Sequence, residues 1–283
     1  MLFKRVFPLI VVLIIVLTGC LGKTEVMAPG EEVIKDPLDL IPGDIGLIAR
    51  ADMYELLETF NEDLNLPDFE VDPGAVDIIY IYDKDPGLDD IFNLLRGKVF
   101  KSAALEGDFR GVEEGWEELG SGIYLSPDSR RAYNGGVLLL GEFDLEETTG
   151  GLRGSDIEKK LDDMGEAAVV TVVKYDGRLK DDVTIALEKL PASLKMDGVV
   201  FLGFGIDMIE GEMVHLKLKL YTTNTSHAEK MSQTLKTTVS LAEKTNQLPQ
   251  SLSFLADVSF DRERNIIILE GEITREEFLK LLE

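Results

Sequence analysis

The chain has 283 residues, 45% of them hydrophobic, with 53 acidic against 29 basic side chains and a formal net charge of −24. That apolar content supports a packed core and not a disordered chain. So acidic a protein repels nucleic acid and anionic lipid alike, and two histidines with one cysteine leave little for zinc or thiol chemistry.

The amino terminus reads MLFKRVFPLIVVLIIVLTGC. Lys4 and Arg5 form a positive flank, and Val6 to Leu17 is a run of twelve residues without a charge. A spanning helix needs about 20 apolar residues, so the run is short for one and reads as a secretory signal. Its ending, Leu17-Thr18-Gly19-Cys20, resembles the lipobox of prokaryotic membrane lipoproteins. The resemblance implies cleavage between Gly19 and Cys20 and a diacylglyceryl group on the Cys20 sulfur. It also implies a protein anchored on the extracytoplasmic face of the cell membrane. An ordinary cleaved signal with a chance cysteine, or an uncleaved signal anchor, are the other readings of this segment. One acyl chain holds a protein to a bilayer only marginally, whereas two give stable anchoring. With its single cysteine acylated, the mature chain forms no disulfide.

Residues 1–19 are thus expected to be a signal peptide and 20–37 a lipidated tether, a flexible coil spanning about 23 Å. An acidic α+β domain over 38–198 and a second α+β domain over 199–283 follow. The mature chain keeps 27 basic and 53 acidic residues; 38–198 carries a charge of −20 and 199–283 only −4. Divalent cations or basic partners suit that surface, as does a plain solubilising role.

Within the body, IGLIARAD (45–52) predicts a strand. Met53, Leu56, Leu57, Phe60 and Leu64 then predict a helical stripe. VDIIYIYD (76–83) predicts a strand and DDIFNLLRG a short helix capped by Asp89. VFKSAALEGDF (99–109) predicts another strand, and Val112, Trp116 and Leu119 share one face of GVEEGWEELG. GIYLSPDSRRAYNGGVLLLGEF predicts strands joined around Pro127–Arg131, with a break at Asn134-Gly135-Gly136. SDIEKKLDDMG (155–165) predicts a helix with Ser155 and Glu158 at capping-box spacing. AAVVTVVKYDG (167–177) reads as strand and DDVTIALEKLP (181–191) as helix. A hairpin follows, turning at Glu210–Glu212. Its second arm alternates Val214, Leu216, Leu218 and Leu220 with His215, Lys217, Lys219 and Tyr221, the pattern of a sheet with one wet face. A helix from Ser226, a hairpin joined by Asp261–Asn265 and a short terminal helix close a ββαββα order.

GLIARADMYELLE, IILEGEITREEFLKLLE and AVVTVVKYDGRLKDDVTIALEKL share a strand–acid–helix plan. The expected fold class is therefore α+β, built of repeated ferredoxin-like-type modules with mostly antiparallel sheets and helices packed on one face. IPGDIGLIARADMYELL and ALEGDFRGVEEGWEEL with GIYL and GGVLLLGEF are similar to repeated modules in uncharacterised archaeal and bacterial surface lipoproteins. That likeness spans residues 40–175 and implies a fold, not an activity.

No catalytic motif emerges. His215 sits among lysines and His227 in a first helical turn, both suited to surface roles. LGSGIY and RGSDIE do not match the nucleophile elbow, and FLGFGIDM lacks the third glycine of a phosphate loop. Its Gly203 and Gly205 fit close backbone packing or a bulge. Asp83, Asp85, Asp89 and Asp90 offer oxygen ligands that suit calcium, beside the plainer reading of a solvated turn with a cap. No other cofactor is expected beyond the lipid. Asn224-Thr225-Ser226 fits the N-glycosylation sequon, beside the reading of turn and cap chemistry with Ser226 as N-cap. The leading expectation is a lipid-anchored extracytoplasmic surface protein that binds or organises a protein or small-molecule partner without catalysis. The alternatives are a solute-binding lipoprotein serving a transporter and a carboxylate-dependent hydrolase.

Overall fold

The computed structural model describes residues 36–55, 75–95, 102–107, 109, 115–120, 123–128, 131–134, 136–141, 151–188, 196–209, 213–244, 258–274 and 276–277. In chain order the first elements are α1 (Pro37–Leu40), β1 (Leu47–Asp52), β2 (Val76–Asp83), α2 (Leu88–Leu95) and β3 (Ser102–Gly107). Four short strands follow: β4 (Glu117–Gly120), β5 (Ile123–Leu125), β6 (Arg131–Asn134) and β7 (Val137–Gly141). Then come α3 (Asp156–Met164), β8 (Val169–Lys174), α4 (Gly177–Glu188), β9 (Val199–Ile209) and β10 (Met213–Thr222). The last are α5 (Thr225–Lys244), β11 (Ser259–Glu263) and β12 (Ile266–Thr274).

All twelve strands among the described residues belong to one sheet, ordered β11-β12-β10-β9-β8-β1-β2-β3-β7-β6-β5-β4. Every pairing is antiparallel. The chain is thus α+β on a single broad antiparallel sheet. β8 and β9, on either side of residue 198, pair from Val169↔Ile206 to Lys174↔Phe201, so segments 38–198 and 199–283 share that sheet. The carboxy-terminal strands stand as β11-β12-β10-β9.

The sheet has a core on each face. Leu47, Ala49 and Ala51 of β1 belong to one core with Ile91 of α2, Leu179 of α4 and Ala228 and Met231 of α5. Ile48, from the opposite face of the same strand, packs with Leu40 of α1 and Ile157, Leu161 and Met164 of α3. Helices therefore cover both faces, a correction to the expectation of one. The reason is visible in β8, whose Val-Val-Thr-Val-Val run is buried throughout. A continuous apolar strand has no wet side and needs cover on both. The sheet's end strands, by contrast, are short and charged: Glu117 and Glu118 in β4, and Asp261, Arg262 and Glu263 in β11. Such edges resist strand addition by other chains.

Local signals decide several boundaries. Ser155 caps α3, its Oγ accepting from Glu158 N–H at 3.2 Å, and the Glu158 carboxylate in return accepts from Gly154 N–H. α2 begins at Leu88, so Asp89 lies in its first turn and is not the expected cap. The donors there go elsewhere: Gly87 N–H to Asp90 at 3.0 Å and Leu88 N–H to Asp182 of α4 at 3.0 Å. α5 is capped by Asn224, whose Oδ1 accepts from His227 N–H at 3.0 Å, and not by Ser226. Leu119 lies in strand β4 and not on a helical face with Trp116. The expected helices after Met53 and after Thr274, and the turn at Glu210–Glu212, lie largely outside the described residues.

Candidate functional site

A compact polar grouping that joins helix to sheet lies on the α1/α3 face, where α3 ends over β9 and β10. Two features of β9 let the helix come this close. A Cβ on Gly203 would stand 2.6 Å from Met164 Sδ and 3.3 Å from the Tyr221 ring. One on Gly205 would stand 3.3 Å from Met164 Cε. The close-packing expectation for these glycines holds, and Met164 fills the space that they leave.

Asp163, one residue earlier, is drawn to β10. Lys219 Nζ lies 2.9 Å from Asp163 Oδ2 and also donates to the Asp163 carbonyl. The Tyr221 hydroxyl donates to the same carboxylate oxygen at 2.8 Å. Lys160, one turn back on α3, places its ammonium 4.8 Å from the centre of the Tyr221 ring, within cation–π range. Lys219 and Tyr221 are buried, whereas the strand's alternation expects both on a wet face. Further along β10 that expectation is better met. Lys217 and Glu270 face each other across β10 and β12 and pair at 2.7 Å, both about 30% exposed.

The electrostatics of this cluster fix its protons. Burial opposes ionisation of Asp163, but hydrogen bonds from Lys219 and Tyr221 and the charges of Lys219 and Lys160 outweigh it, so the carboxyl titrates below the ordinary range. Burial, the hydrogen bond to Asp163 and the Asp163 charge all push the Tyr221 phenol upward. Near neutral pH the carboxylate is thus charged and the phenol keeps its proton. A general acid or base works best with a pKa near the operating pH, and neither oxygen group meets that condition. Chemically the cluster is a clasp holding α3 to the sheet. Sequence reasoning missed Asp163 and misplaced its partners. The available signal was the Gly203/Gly205 pair on β9, cross-strand from Lys219 and Lys217, which marks where a helix can approach.

Beside the clasp, Arg50 of β1 donates to the Gly165 carbonyl at 2.8 Å, steadying the end of α3. Glu55 titrates high because of burial first and then the Asp52 and Asp207 charges, partly relieved by Arg50. Among the described residues no group of three His, Cys, Asp or Glu side chains is placed to hold a metal ion.

The residues singled out from sequence are dispersed. Asp83 closes β2 and accepts from Asp85 N–H at 3.1 Å. Asp89 is exposed on α2, and Asp90 pairs with Arg178 of α4 at 2.8 Å. The turn therefore links α2 to α4, and a Cβ on Gly87 would stand 2.5 Å from the Arg178 guanidinium. His215 lies near the start of β10, in register with Asp207 and Glu272. His227 lies beyond the other end of that strand, 2.7 Å from Thr223 Oγ1 and over Gly198. Gly19 and Cys20 lie outside the described residues. Among those that are described, no helix is long and apolar enough to cross a membrane.

No family model and no curated protein matches the chain. Among solved structures it is similar to TP0453 in crystal form III, with a TM-score of 0.45, 12% identity, and coverage of 88% of this chain and 98% of that one. Crystal form I of TP0453 gives a TM-score of 0.42 at 12% identity, with coverage of 88% and 97%.

Proposed function

We propose that this protein is a lipid-anchored, extracytoplasmic surface protein whose acidic body binds or organises a partner without catalysis. The observation that carries the reading is Leu17-Thr18-Gly19-Cys20 at the end of a charge-free run, with the sole cysteine at its close. An acylated Cys20 would hold the body at the bilayer, while its net negative charge keeps it clear of anionic headgroups. Of the tether expected over residues 20–37, the last two belong to the body: Asp36 caps α1 through Leu38 N–H at 2.9 Å and Pro37 is buried in that helix. The described strands form one antiparallel sheet, whereas a transporter's solute-binding lipoprotein is expected to have long alternating βα halves around a cleft.

Mass spectrometry of protein from native membranes tests the anchor. The expected amino-terminal peptide starts at Cys20 and carries the mass of a diacylglyceryl group. A bare Cys20 thiol, or protein recovered from the cell interior, overturns the reading. A thermal-shift screen with small solutes separates the alternatives, since a transporter's binding protein is stabilised by its ligand as RT ln(1 + [L]/Kd).

A further inference from the structure

We infer that Asn224 is a site of N-linked glycosylation, on the exposed turn between β10 and α5; the inference rests on the extracytoplasmic reading above. Asn224-Thr225-Ser226 satisfies the acceptor sequence, and all three residues are exposed. The structure adds what the triplet alone does not contain. Asn224 is the cap of α5, but it caps through Oδ1, which accepts from His227 N–H at 3.0 Å. Glycosylation uses the other atom, Nδ2, whose contacts are long: 3.4 Å to Thr223 Oγ1 and 3.3 Å to His227 Nδ1. A glycosylated amide keeps one N–H, enough for either contact, so sugar and cap coexist. Because Asn224 and not Ser226 caps the helix, the Ser226 hydroxyl is not consumed in holding the fold.

Asn224 follows Thr222, the last residue of β10, beside Asn265, whose carbonyl accepts from Thr222 N–H at 2.9 Å. Following the pairings from β2 through β1, β8 and β9 to β10 puts Thr222 at the end of the sheet where β2 finishes, so the sequon stands on an exposed strand–helix turn at that rim.

The transfer balances with one named co-substrate, a polyprenyl phosphate- or diphosphate-linked oligosaccharide. Asn224 Nδ2 bonds to the sugar C1, the bond from C1 to the phosphate oxygen breaks, the lipid phosphate leaves, and the amide gives up one proton.

The test is glycopeptide mass spectrometry of the full-length protein isolated from its native membranes, reading the Cys20 and Asn224 peptides in one digest. The expected spectrum shows the Asn224 peptide heavier by hexose or related sugar units. Ser226→Ala, which leaves the cap in place, should remove the increment. Asn224→Asp should remove it as well, while keeping an acceptor oxygen for His227 N–H. A lipidated Cys20 beside an Asn224 peptide of unmodified mass overturns the glycosylation alone, whereas an unmodified Cys20 overturns the location on which it rests. An increment that survives Ser226→Ala places the sugar on another residue and overturns the assignment.

Discussion

Lys219 and Asp163 are 56 residues apart in sequence and 2.9 Å apart in space, and their pairing joins the last turn of α3 to strand β10. Lys219 is 8% exposed, while the Asp163 side chain remains 41% exposed. Removing one member of a buried pair costs about 3–5 kcal/mol, and the solvent at Asp163 scales that down. Lys219→Met should therefore destabilise the protein by about 1–2 kcal/mol, lowering Tm by about 3–6 °C. Asp163→Asn should act similarly, and the double variant should fall well short of the sum. Thermal unfolding of the four proteins reads this directly. Additive losses would show that the two side chains do not act together.

Acid should release the same clasp. Asp163 and Glu270 both titrate below the ordinary carboxylate range when folded. For Asp163, hydrogen bonds from Lys219 and Tyr221 overcome burial; for Glu270, the hydrogen bond from Lys217 is the main cause. The unfolded chain thus binds protons that the folded chain refuses. Their contribution is present above about pH 4 and is lost as pH falls through the depressed folded values. Urea midpoints measured from pH 7 to pH 2 should show the Lys219–Asp163 coupling intact at pH 5 and weakening only toward the acid end. A coupling already lost at pH 5 would contradict the depressed carboxyl.

Glu106 should behave with the opposite sign. Burial raises its carboxyl, and the Asp36 and Asp77 charges raise it further. Its ionisation therefore weakens the fold as pH rises from about 4.3 through the raised folded value. Glu106→Gln should raise Tm at pH 7 by a small amount, about 1–2 °C, and leave it unchanged near pH 3. An equal gain at both pH values would trace the effect to packing.

Gly203 and Gly205 should respond unequally to a methyl group. At Gly203 the added Cβ meets Met164 Sδ at 2.6 Å, an overlap in the packed layer, whereas at Gly205 the nearest atom is Met164 Cε at 3.3 Å, the movable tip of the side chain. Gly203→Ala should cost about 1–3 kcal/mol and Gly205→Ala less than about 1 kcal/mol. Chemical denaturation compares them, and Met164→Ala in the Gly203→Ala background should recover part of the loss. Equal effects would mean that α3 does not rest on this point.

Leu152 should be the costliest truncation on the α1/α3 face. It is fully buried between α1 and α3, its N–H donates to the Leu38 carbonyl at 2.8 Å, and its neighbour Arg153 pairs with Asp39 at 2.8 Å and with Asp36. Leu152→Ala should lose about 3 kcal/mol, a Tm drop of about 10 °C. Arg153→Ala, at an exposed pair, should cost under about 1 kcal/mol. Calorimetry of both would reveal any exchange of roles.

The sequence by itself determined the elements whose signals are local. Apolar runs marked β2 and β9, apolar and polar alternation marked β10, and the Ser155–Glu158 spacing set the start of α3. It also placed the sole cysteine at the end of an apolar run, the whole basis of the anchoring proposal. Only the tertiary structure decided which strands lie side by side and what covers them. The period of a strand says that Lys219 and Tyr221 share a face, but not whether a helix 56 residues away will lie on it. That depends on Met164 finding room over Gly203, and on Asp163 then offering a partner for a buried ammonium. The same limit put all the helices on one face in the sequence reading. A burial pattern is a property of one segment, while a covered face is a property of two.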